Sequence, residues 1–395
     1  MSSDGLRPPV LSAAERAVAG SILSDVWGEP VEISAAGMVW GRRHVVRLGT
    51  RDGRSVILKR VRRRRSGDEA GRDAFGIELA SLEFLGGMPD PVAPRLLGAD
   101  AGAGILIMEE LPPGHSLAHT LLAGDRDGAM ADLNSYATAL GSLHAWSIGR
   151  ADEFERARAR YSPSADPRPW WVERIDSRRA VFLRVAAELG AATDGLDGEI
   201  DAVAAMLAGE RHRSFVHGDL CPDNVRLSAG GTRIFDFEES SAGSPALDAA
   251  YLLAPFPSCW CFASVPETIS AQAMNAYLAA LTAGGVEAAD DLQLELAAAL
   301  AGWVAARGNM IERALKRDEE WGTTTMRPRL VAWTERLAAV AAATGAFPRL
   351  RAIAERLNDR FLSLWPDAIV PAYPALAEPQ HGPLAEVPGW WEPDT

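Results

Sequence analysis

The hydrophobic pattern changes at about residue 111, from strand-like runs to helical repeats. Before that point, short apolar runs predict strands at Val31–Ile33, Val39–Leu48, Ser55–Val61 and Gly104–Leu111. A capping box, Ser12-Ala13-Ala14-Glu15, predicts a helix that runs to about Val26. Apolar residues that recur every three or four positions predict further helices at Ala70–Leu85, Ala129–Trp146, Trp170–Glu188, Leu196–Leu207, Ile269–Leu281, Asp290–Ala314 and Arg327–Ala343. The pattern indicates an α+β protein in which a small antiparallel sheet precedes a larger, mostly helical part.

The most informative segment lies between Phe215 and Asp248, where carboxylates end two apolar runs. The sequence F-V-H-G-D-L-C-P-D-N-V-R-L places Asp219 after one strand, and T-R-I-F-D-F-E-E-S places Asp236 after another. Such an arrangement is costly unless a cation or a proton transfer uses the acids. Asn224 follows Asp219 by five positions, and this spacing is typical of a kinase catalytic loop and its metal-binding Asp. An ordinary hairpin with scattered surface acids is the alternative interpretation.

The segment has H-G-D where protein kinases have H-R-D, and D-F-E where they have D-F-G. In both respects it resembles the aminoglycoside phosphotransferase and choline kinase family. The resemblance covers roughly Val31–Ala343 and implies a bilobal protein-kinase-like fold. It also implies that Asp219 is the catalytic base for an acceptor hydroxyl, and that Asn224 and Asp236 bind Mg²⁺. If the strand continues beyond Asp236, Glu238 points the same way and reaches a second metal or an amine of the acceptor.

Lys59 lies in the predicted strand V-I-L-K-R-V and is one of only two lysines in the chain. The resemblance implies that it contacts the α- and β-phosphates of ATP or GTP. Glu78 falls within the apolar face of its predicted helix, where a carboxylate needs a cationic partner or a proton. Lys59 is the candidate partner, and the pair would hold the lysine in place for the phosphates. A solvent-facing strand lysine is the alternative.

The strand Gly104–Leu111 runs into Pro112-Pro113-Gly114. In the family that the chain resembles, such a strand links the lobes and its backbone binds the adenine edge. The resemblance implies that Met108 stands behind the base and that the backbone from Glu109 to Leu111 supplies hydrogen bonds. A plain edge strand is the alternative. Gly37 and Gly41 occupy the place of a phosphate-covering loop, but no G-x-G-x-x-G is present.

Other conspicuous polar residues near this segment are expected to support the structure. His144 is expected to pack or cap its helix, and the resemblance implies that His217 braces the catalytic loop. It implies too that Asp248 caps a helix and hydrogen-bonds the backbone of that loop. Only 12 positions separate Asp236 from Asp248 (248 − 236), which leaves no room for the activation segment of a protein kinase. A small-molecule acceptor is therefore favoured over a peptide.

Composition excludes several classes of partner. The 395 residues carry a net charge of −13, which argues against a general nucleic-acid or membrane-surface binder. The run Arg60–Arg65 is short and lacks interleaved aromatics, so a solvated loop explains it better than nucleic-acid binding. No apolar run reaches membrane-spanning length, and the N-terminus lacks the order of a signal peptide. The three cysteines suggest neither a metal site nor a disulfide framework, with Cys221 as a bystander, and a reduced cytoplasmic protein is expected.

The sequence predicts three parts: a nucleotide-binding N-lobe at residues 1–111, a helical C-lobe at 112–365, and a Pro-rich tail at 366–395 that contains Trp390-Trp391. Candidate acceptor-binding residues are Glu238, Glu239, Trp303 and Glu312, since acids with tryptophan suit a cationic or sugar-like acceptor. Solvated acids beside core aromatics are the alternative.

The function predicted from these features is an ATP- or GTP-dependent, Mg²⁺-assisted O-phosphotransferase that acts on a small hydroxylated molecule. An aminoglycoside- or nucleoside-like antibiotic is the first candidate acceptor. A choline-like amino alcohol or a sugar is the second, and an inactive nucleotide-binding pseudokinase is the alternative from another class. The oligomeric state is left open.

Overall fold

The protein divides into two compact units. A computed structural model describes residues 10–39, 42–61, 73–163, 168–209, 211–254, 256, 258–287 and 289–377. The first unit comprises Met1–Pro113 with Ala157–Ala165, and the second comprises Gly114–Arg156 with Asp166–Thr395. A small antiparallel sheet dominates the first unit and helices dominate the second, so the predicted α+β class is confirmed.

The first unit is built on a five-stranded antiparallel sheet in the order β1-β2-β3-β5-β4. Up to residue 113 the chain forms α1 (Ala13–Trp27), β1 (Ile33–Val39), β2 (Arg42–Thr50), β3 (Ser55–Arg60), α2 (Ala74–Leu85), β4 (Leu96–Asp100) and β5 (Ile105–Glu109). Lys59 lies on the central strand β3, opposite Val45 on one side and Leu106 on the other. Its backbone is therefore held by hydrogen bonds to two neighbouring strands.

The apolar core of this unit lies between α1 and the sheet, where Leu23 packs with Val46, Leu58 and Ile107. The predicted capping box starts the helix: Ser12 Oγ accepts from the Glu15 amide, and the Glu15 carboxylate accepts from the Ser12 amide. The first predicted strand was placed too early, because β1 begins only at Ile33. Its sequence I-S-A-A-G-M-V is poor in strand-forming residues, and pairing with β2 overrides that weak propensity.

The second unit is mostly helical, with short strands around the segment singled out above. After residue 113 the chain forms β6 (Gly114–Ser116), α3 (Leu117–Ala123), α4 (Arg126–Ser147), α5 (Ala151–Tyr161), α6 (Trp170–Glu188), α7 (Leu196–Leu207), β7 (Ser214–Val216), β8 (Val225–Ser228), β9 (Gly231–Ile234), β10 (Ser241–Gly243), α8 (Ala246–Ala249), α9 (Glu267–Ala283), α10 (Ala289–Ala305), α11 (Gly308–Lys316), β11 (Glu320–Trp321), β12 (Thr324–Thr325), α12 (Met326–Thr344) and α13 (Pro348–Leu364). Strands β6, β8 and β9 form one antiparallel sheet, and β7 pairs with β10.

One predicted helix is two helices in the structure. The expected helix Asp290–Ala314 is interrupted at Arg307, whose backbone leaves helical geometry at φ −100° and ψ 9°. The next residue, Gly308, packs so closely on α6 that a Cβ atom would overlap the backbone of Phe182. The break lets α11 approach α6, and periodicity alone could not indicate it, because apolar residues continue through the break.

The end of the described chain is only partly extended. Residues Pro374–Leu376 form a 3₁₀ turn, and Ala372 makes a parallel bridge to Ser264. Residues 378–395, with Trp390-Trp391, lie outside the described residues, as do Gly41 and residues 62–65 of the arginine run. Among the described residues, no helix is long and apolar enough to cross a membrane.

Candidate active site

The loop between β7 and β8 carries the H-G-D motif, and its geometry requires glycine at the middle position. Gly218 has φ +83°, in the left-handed region. A Cβ atom there would lie 2.7 Å from the Glu239 carbonyl oxygen and 2.7 Å from Trp170 Nε1. Both Trp170 and Trp171 donate their indole N–H to the Gly218 carbonyl, at 3.2 Å each. These contacts explain why the H-G-D form, and not H-R-D, suits this loop.

The side chain of Asp248 holds the backbone of the same loop in place. Its carboxylate accepts hydrogen bonds from the backbone amides of His217, at 2.7 Å, and Gly218, at 2.9 Å. The prediction that Asp248 holds the loop backbone is confirmed. The prediction that it caps a helix is wrong, because Asp248 lies within α8 and its side chain makes no cap hydrogen bond. Its carboxylate is directed to the loop instead.

Both histidines near this loop have structural roles, as predicted. His144 is fully buried, with Nε2 3.4 Å from Asp248 Oδ2 and Nδ1 2.9 Å from the Tyr277 hydroxyl. His217 Nδ1 accepts from the Asp219 amide at 3.3 Å, so Nε2 carries the proton and donates to the Phe235 carbonyl at 3.0 Å. The bond to Phe235 ties the end of β7 to the end of β9.

Asp219 has the electrostatic setting of a base that works near neutral pH. Burial raises its pKa from 3.8 to about 7, and the neighbouring carboxylates of Asp223, Asp236 and Glu239 add to the rise. A hydrogen bond from Ser258 Oγ to Asp219 Oδ1, 3.0 Å long, opposes the shift. A pKa close to ambient pH is what general base catalysis favours.

The residues that support Asp219 include two that sequence reasoning missed. Ser258 Oγ also lies 2.7 Å from the buried Tyr251 hydroxyl, which forms a Tyr251–Ser258–Asp219 chain. The adjacent Cys259 forms a disulfide with Cys221, with the two Cα atoms 5.4 Å apart. This corrects the expectation that Cys221 is a bystander and that the cysteines form no disulfide. No motif spacing links residues 258–259 to the loop, so only the tertiary structure shows their role.

Asn224 and Asp236 lie at the open end of the β8–β9 hairpin, just before β8 and just after β9, and offer oxygen ligands. The Phe235 amide donates to the Asn224 carbonyl at 3.1 Å. Asn224 Nδ2 donates to the Asp219 carbonyl at 3.0 Å, which leaves its Oδ1 available to a cation. Asp236 has φ +73°, a left-handed conformation that costs energy for a residue other than glycine and is often found at functional sites.

The remaining acids of this segment differ in position. Strand β9 ends at Ile234 and residues 238–239 form a turn, so strand alternation does not place Glu238. Glu238 and Asp236 nevertheless lie on the same side, because a carboxylate oxygen of Glu238 lies within 4.8 Å of one of Asp236. Glu239 lies close enough to Asp219 to raise its pKa. Glu312, on α11, instead pairs with Arg184 at 3.3 Å and Lys316 at 3.5 Å.

In the first unit, the predicted Lys59–Glu78 ion pair is confirmed. Lys59 Nζ lies 2.7 Å from Glu78 Oε1 and 2.6 Å from Oε2, and both side chains are buried. A buried pair with both carboxylate oxygens engaged fixes the position of the ammonium group.

The predicted adenine-binding segment is the end of β5. Met108 is buried on that strand, and Leu111, just beyond it, is partly exposed. Glu109 exchanges hydrogen bonds with Arg95: its amide donates to the Arg95 carbonyl at 2.9 Å, and its carboxylate accepts from the Arg95 amide at 2.9 Å. Base recognition by this segment stays a prediction.

Trp303 belongs to an aromatic cluster of the second unit. It is buried, meets Tyr251 edge to face with ring centroids 5.1 Å apart, and lies 6.0 Å from the Trp171 ring. Trp303 contacts Tyr251, which is linked to Asp219 through Ser258. It is therefore packed near the base, but as a core residue.

Comparison with known proteins supports the resemblance. A model described as the phosphotransferase enzyme family matches residues 36–292, a range that contains Lys59, Asp219, Asn224 and Asp236. No curated protein matches the chain.

Several solved structures are similar to the chain. One is macrolide 2′-phosphotransferase MphH from Brachybacterium faecium, at 20% identity, with 83% of this chain and 97% of that chain covered and a TM-score of 0.46. Another is choline kinase LicA from Streptococcus pneumoniae, at 14% identity, with 85% and 100% covered and a TM-score of 0.40. A third is a choline/ethanolamine kinase family protein from Mesorhizobium loti, at 16% identity, with 87% and 99% covered and a TM-score of 0.42. At these values nothing about the acceptor follows from the neighbours.

Proposed function

The chain belongs to the phosphotransferase enzyme family, and we propose that it transfers the γ-phosphoryl group of ATP or GTP to a hydroxyl of a small molecule, with Asp219 as the base. The observation that carries this proposal is the setting of Asp219. Its loop is fixed by Asp248, and burial raises its pKa to about 7. A carboxylate held this firmly at such a pKa suits proton transfer better than a structural contact.

In the proposed reaction, Asp219 orients the acceptor hydroxyl toward the γ-phosphorus and receives its proton as the O–P bond forms. Ser258 already occupies Oδ1, so Oδ2 is the oxygen proposed to take the proton. The O–P bond to the nucleoside diphosphate breaks in the same step, and the diphosphate leaves with the bonding electrons. Lys59, fixed by Glu78, is proposed to contact the phosphates, and the backbone between Glu109 and Leu111 to bind the base.

The residues proposed to hold Mg²⁺ suit a hard cation. Asn224 Oδ1 and the Asp236 carboxylate are oxygen ligands, and two protein ligands are the usual number for a nucleotide-bound Mg²⁺ that keeps several waters. The hydrogen bond from Asn224 Nδ2 to the Asp219 carbonyl sets the amide in the orientation that a cation needs. When bound, Mg²⁺ supplies positive charge that neutralises the phosphate oxygens. Residues Asn224 and Asp236 would orient it.

We propose an antibiotic as the first candidate acceptor and a choline-like amino alcohol or a sugar as the second, because the family phosphorylates acceptors of all three kinds. A nucleoside triphosphate donor implies a cytoplasmic enzyme.

The test is a coupled assay of nucleoside diphosphate release with Mg²⁺ and a panel of hydroxyl compounds, followed by mass spectrometry of the acceptor. Asp219→Asn is expected to lower kcat by about 10²–10⁴-fold and to leave nucleotide affinity nearly unchanged. Asp236→Ala is expected to weaken binding of the Mg²⁺–nucleotide complex, whereas Glu312→Gln, which alters an acid paired with Arg184, serves as the control. Full turnover by the Asp219 variant would remove that residue from the mechanism. Nucleotide binding without any transfer would favour the pseudokinase.

A further inference from the structure

A cluster of buried hydrogen-bond donors lies beside Asp219 and lacks acceptors. Among the described residues, no hydrogen-bond partner is found for four buried nitrogen atoms in this area: Nε and Nη2 of Arg307, Nε1 of Trp303 and Nε1 of Trp333. The four belong to one packed group, because the Arg307 guanidinium lies 4.3 Å from the Trp333 ring centroid and 4.9 Å from that of Trp171, and Trp171 contacts Trp303. Buried polar groups without partners are uncommon in proteins and call for an explanation.

A second guanidinium group, from helix α6, lies beside the same tryptophan, Trp171. Arg174, on α6, lies 4.6 Å from the Trp170 ring centroid and 5.8 Å from that of Trp171. Trp170 and Trp171 are stacked and both bond to the Gly218 carbonyl, directly before Asp219. Two cations therefore share Trp171, and the charge of Arg174 lowers the pKa of Arg307. The pKa of Arg174 is lowered by burial and by the charge of Arg178.

The electrostatics of Arg307 agree with this geometry. Its pKa falls to about 9, first through burial and then through the charge of Arg174, and the negative charge of Asp219 acts in the opposite direction. Arg307 is thus within electrostatic reach of the proposed base and remains protonated at pH 7. Its side chain makes no ion pair with a described residue. An unpaired buried cation is a costly feature that a ligand anion would relieve.

A nearby buried arginine shows what a structural role looks like. Arg329 Nη1 donates to the Cys259 carbonyl at 2.7 Å, and Nη2 donates to the Trp321 carbonyl at 2.7 Å. Its guanidinium is therefore hydrogen-bonded to backbone oxygens of two separate segments. Nε and Nη2 of Arg307 have no such acceptors among the described residues, although this side chain is also buried.

We propose that Arg307 and Arg174 bind an anionic group, a carboxylate or a phosphate, on the molecule whose hydroxyl Asp219 deprotonates. The anion site depends on the proposed phosphotransfer in one respect only, the identification of its ligand as the acceptor. This identification follows because residues around the base would contact the rest of the acceptor molecule. The guanidinium fork matches the two oxygens of a carboxylate or phosphate, and the indole N–H groups of Trp303 and Trp333 supply further donors. An anionic acceptor is then favoured over the cationic one that the acids of the sequence suggested.

The test uses charge-matched probe pairs, gluconate with glucose and glycerol 3-phosphate with glycerol. Binding is measured by calorimetry without nucleotide, so its outcome does not depend on phosphotransfer. The account predicts that each anion binds at least tenfold more tightly than its neutral partner. Arg307→Met should remove that preference and leave the weak binding of the neutral partner unchanged. Arg184→Met, which alters an exposed arginine on the same helix as Arg174, should behave as wild type.

Two further measurements distinguish a folding defect of the variant from the absence of an anion site. If Arg307→Met does not fold, Arg174→Met, at a partly exposed position, should weaken anion binding severalfold in a folded protein. Turnover of an acceptor that is equally fast for charged and neutral forms, with no effect of either substitution, would overturn the anion site while leaving the phosphotransferase intact. Equal binding of the anion and its neutral partner by the wild type would overturn the anion site as well. Ordered water would then be the partner of the buried N–H groups.

Discussion

Asp219 and Asp248 lie in the same segment of the second unit, one partly and the other fully buried, but their hydrogen-bond partners differ. Asp248 uses both carboxylate oxygens to accept from backbone amides and also faces His144. The carboxylate of Asp219 has a single hydrogen-bond donor among the described residues, the hydroxyl of Ser258. The sulfur of Cys221 lies 3.5 Å from the same oxygen, but a disulfide sulfur has no proton to donate.

The difference separates two uses of a buried carboxylate. Where amide donors replace water, as around Asp248, the charge contributes to holding a loop. Where they do not, as around Asp219, desolvation raises the pKa and leaves the group ready to take a proton. Asp248 positions the carboxylate that we propose as the base, because its contacts are made to the two residues directly before Asp219.

The comparison predicts opposite effects on stability when the two charges are removed, and the larger effect is at Asp219. The folded-state pKa, about 7, exceeds the unfolded value of 3.8, so the folded state binds the proton more tightly. Stability is thus lost as pH rises from about 4 to 7, and at pH 8 the ionised carboxylate costs on the order of 4 kcal/mol. Asp219→Asn should raise the free energy of unfolding at pH 8 and change it little at pH 4. Urea denaturation at the two pH values measures this, and equal effects at both would contradict the assignment.

Asp248→Ala should have the reverse effect. It leaves the amides of His217 and Gly218 buried without an acceptor, at about 1–3 kcal/mol for each unsatisfied group. We expect the free energy of unfolding at pH 7 to fall by roughly 3 kcal/mol and kcat to fall with it, because the loop is no longer fixed. Asp248→Asn, which keeps one acceptor oxygen, should lie between Asp248→Ala and wild type. A stable Asp248→Ala protein with full activity would show that the loop holds itself.

Of the three substitutions, Ser258→Ala should have the smallest effect. It tests whether the single hydrogen bond to the Asp219 carboxylate sets the pKa of that group. The Ser258 hydroxyl favours the ionised form of Asp219, so its removal raises the pKa of that carboxyl further, by up to about one pH unit. The pH–rate profile should move upward by that amount, whereas the rate well above the midpoint should stay close to wild type. A loss of rate at every pH, with no shift of the midpoint, would mean that Ser258 has only a structural role.

The positions of the candidate site residues could be predicted where they depend on consecutive residues. The spacing of Asp219, Asn224 and Asp236 and the inward position of Glu78 were readable because each depends on a local segment. Ser258, Cys259 and Arg307 could not be found in this way, since they reach the catalytic loop only through the fold of the helical unit.

The errors have physical causes as well. Glu238 was placed near Asp236 by assuming strand alternation, and it is near Asp236, but through the turn that follows β9. The break at Arg307 was hidden by continuous apolar periodicity, although the close packing of Gly308 on α6 requires it. The edge strand β4 was not predicted, because L-L-G-A-D contains no β-branched residue and its stability comes from pairing with β5.

The account depends on Asp219 acting as a base with an elevated pKa, and a pH series of single-turnover phosphoryl transfer tests this most directly. For the wild type, the rate should rise tenfold per pH unit below a midpoint and level off above it. The midpoint should lie below the pKa of about 7 that Asp219 has without metal, because the positive charge of bound Mg²⁺ favours the carboxylate. Asp219→Asn should show a low rate with no such rise. Identical profiles for the two proteins would contradict the account.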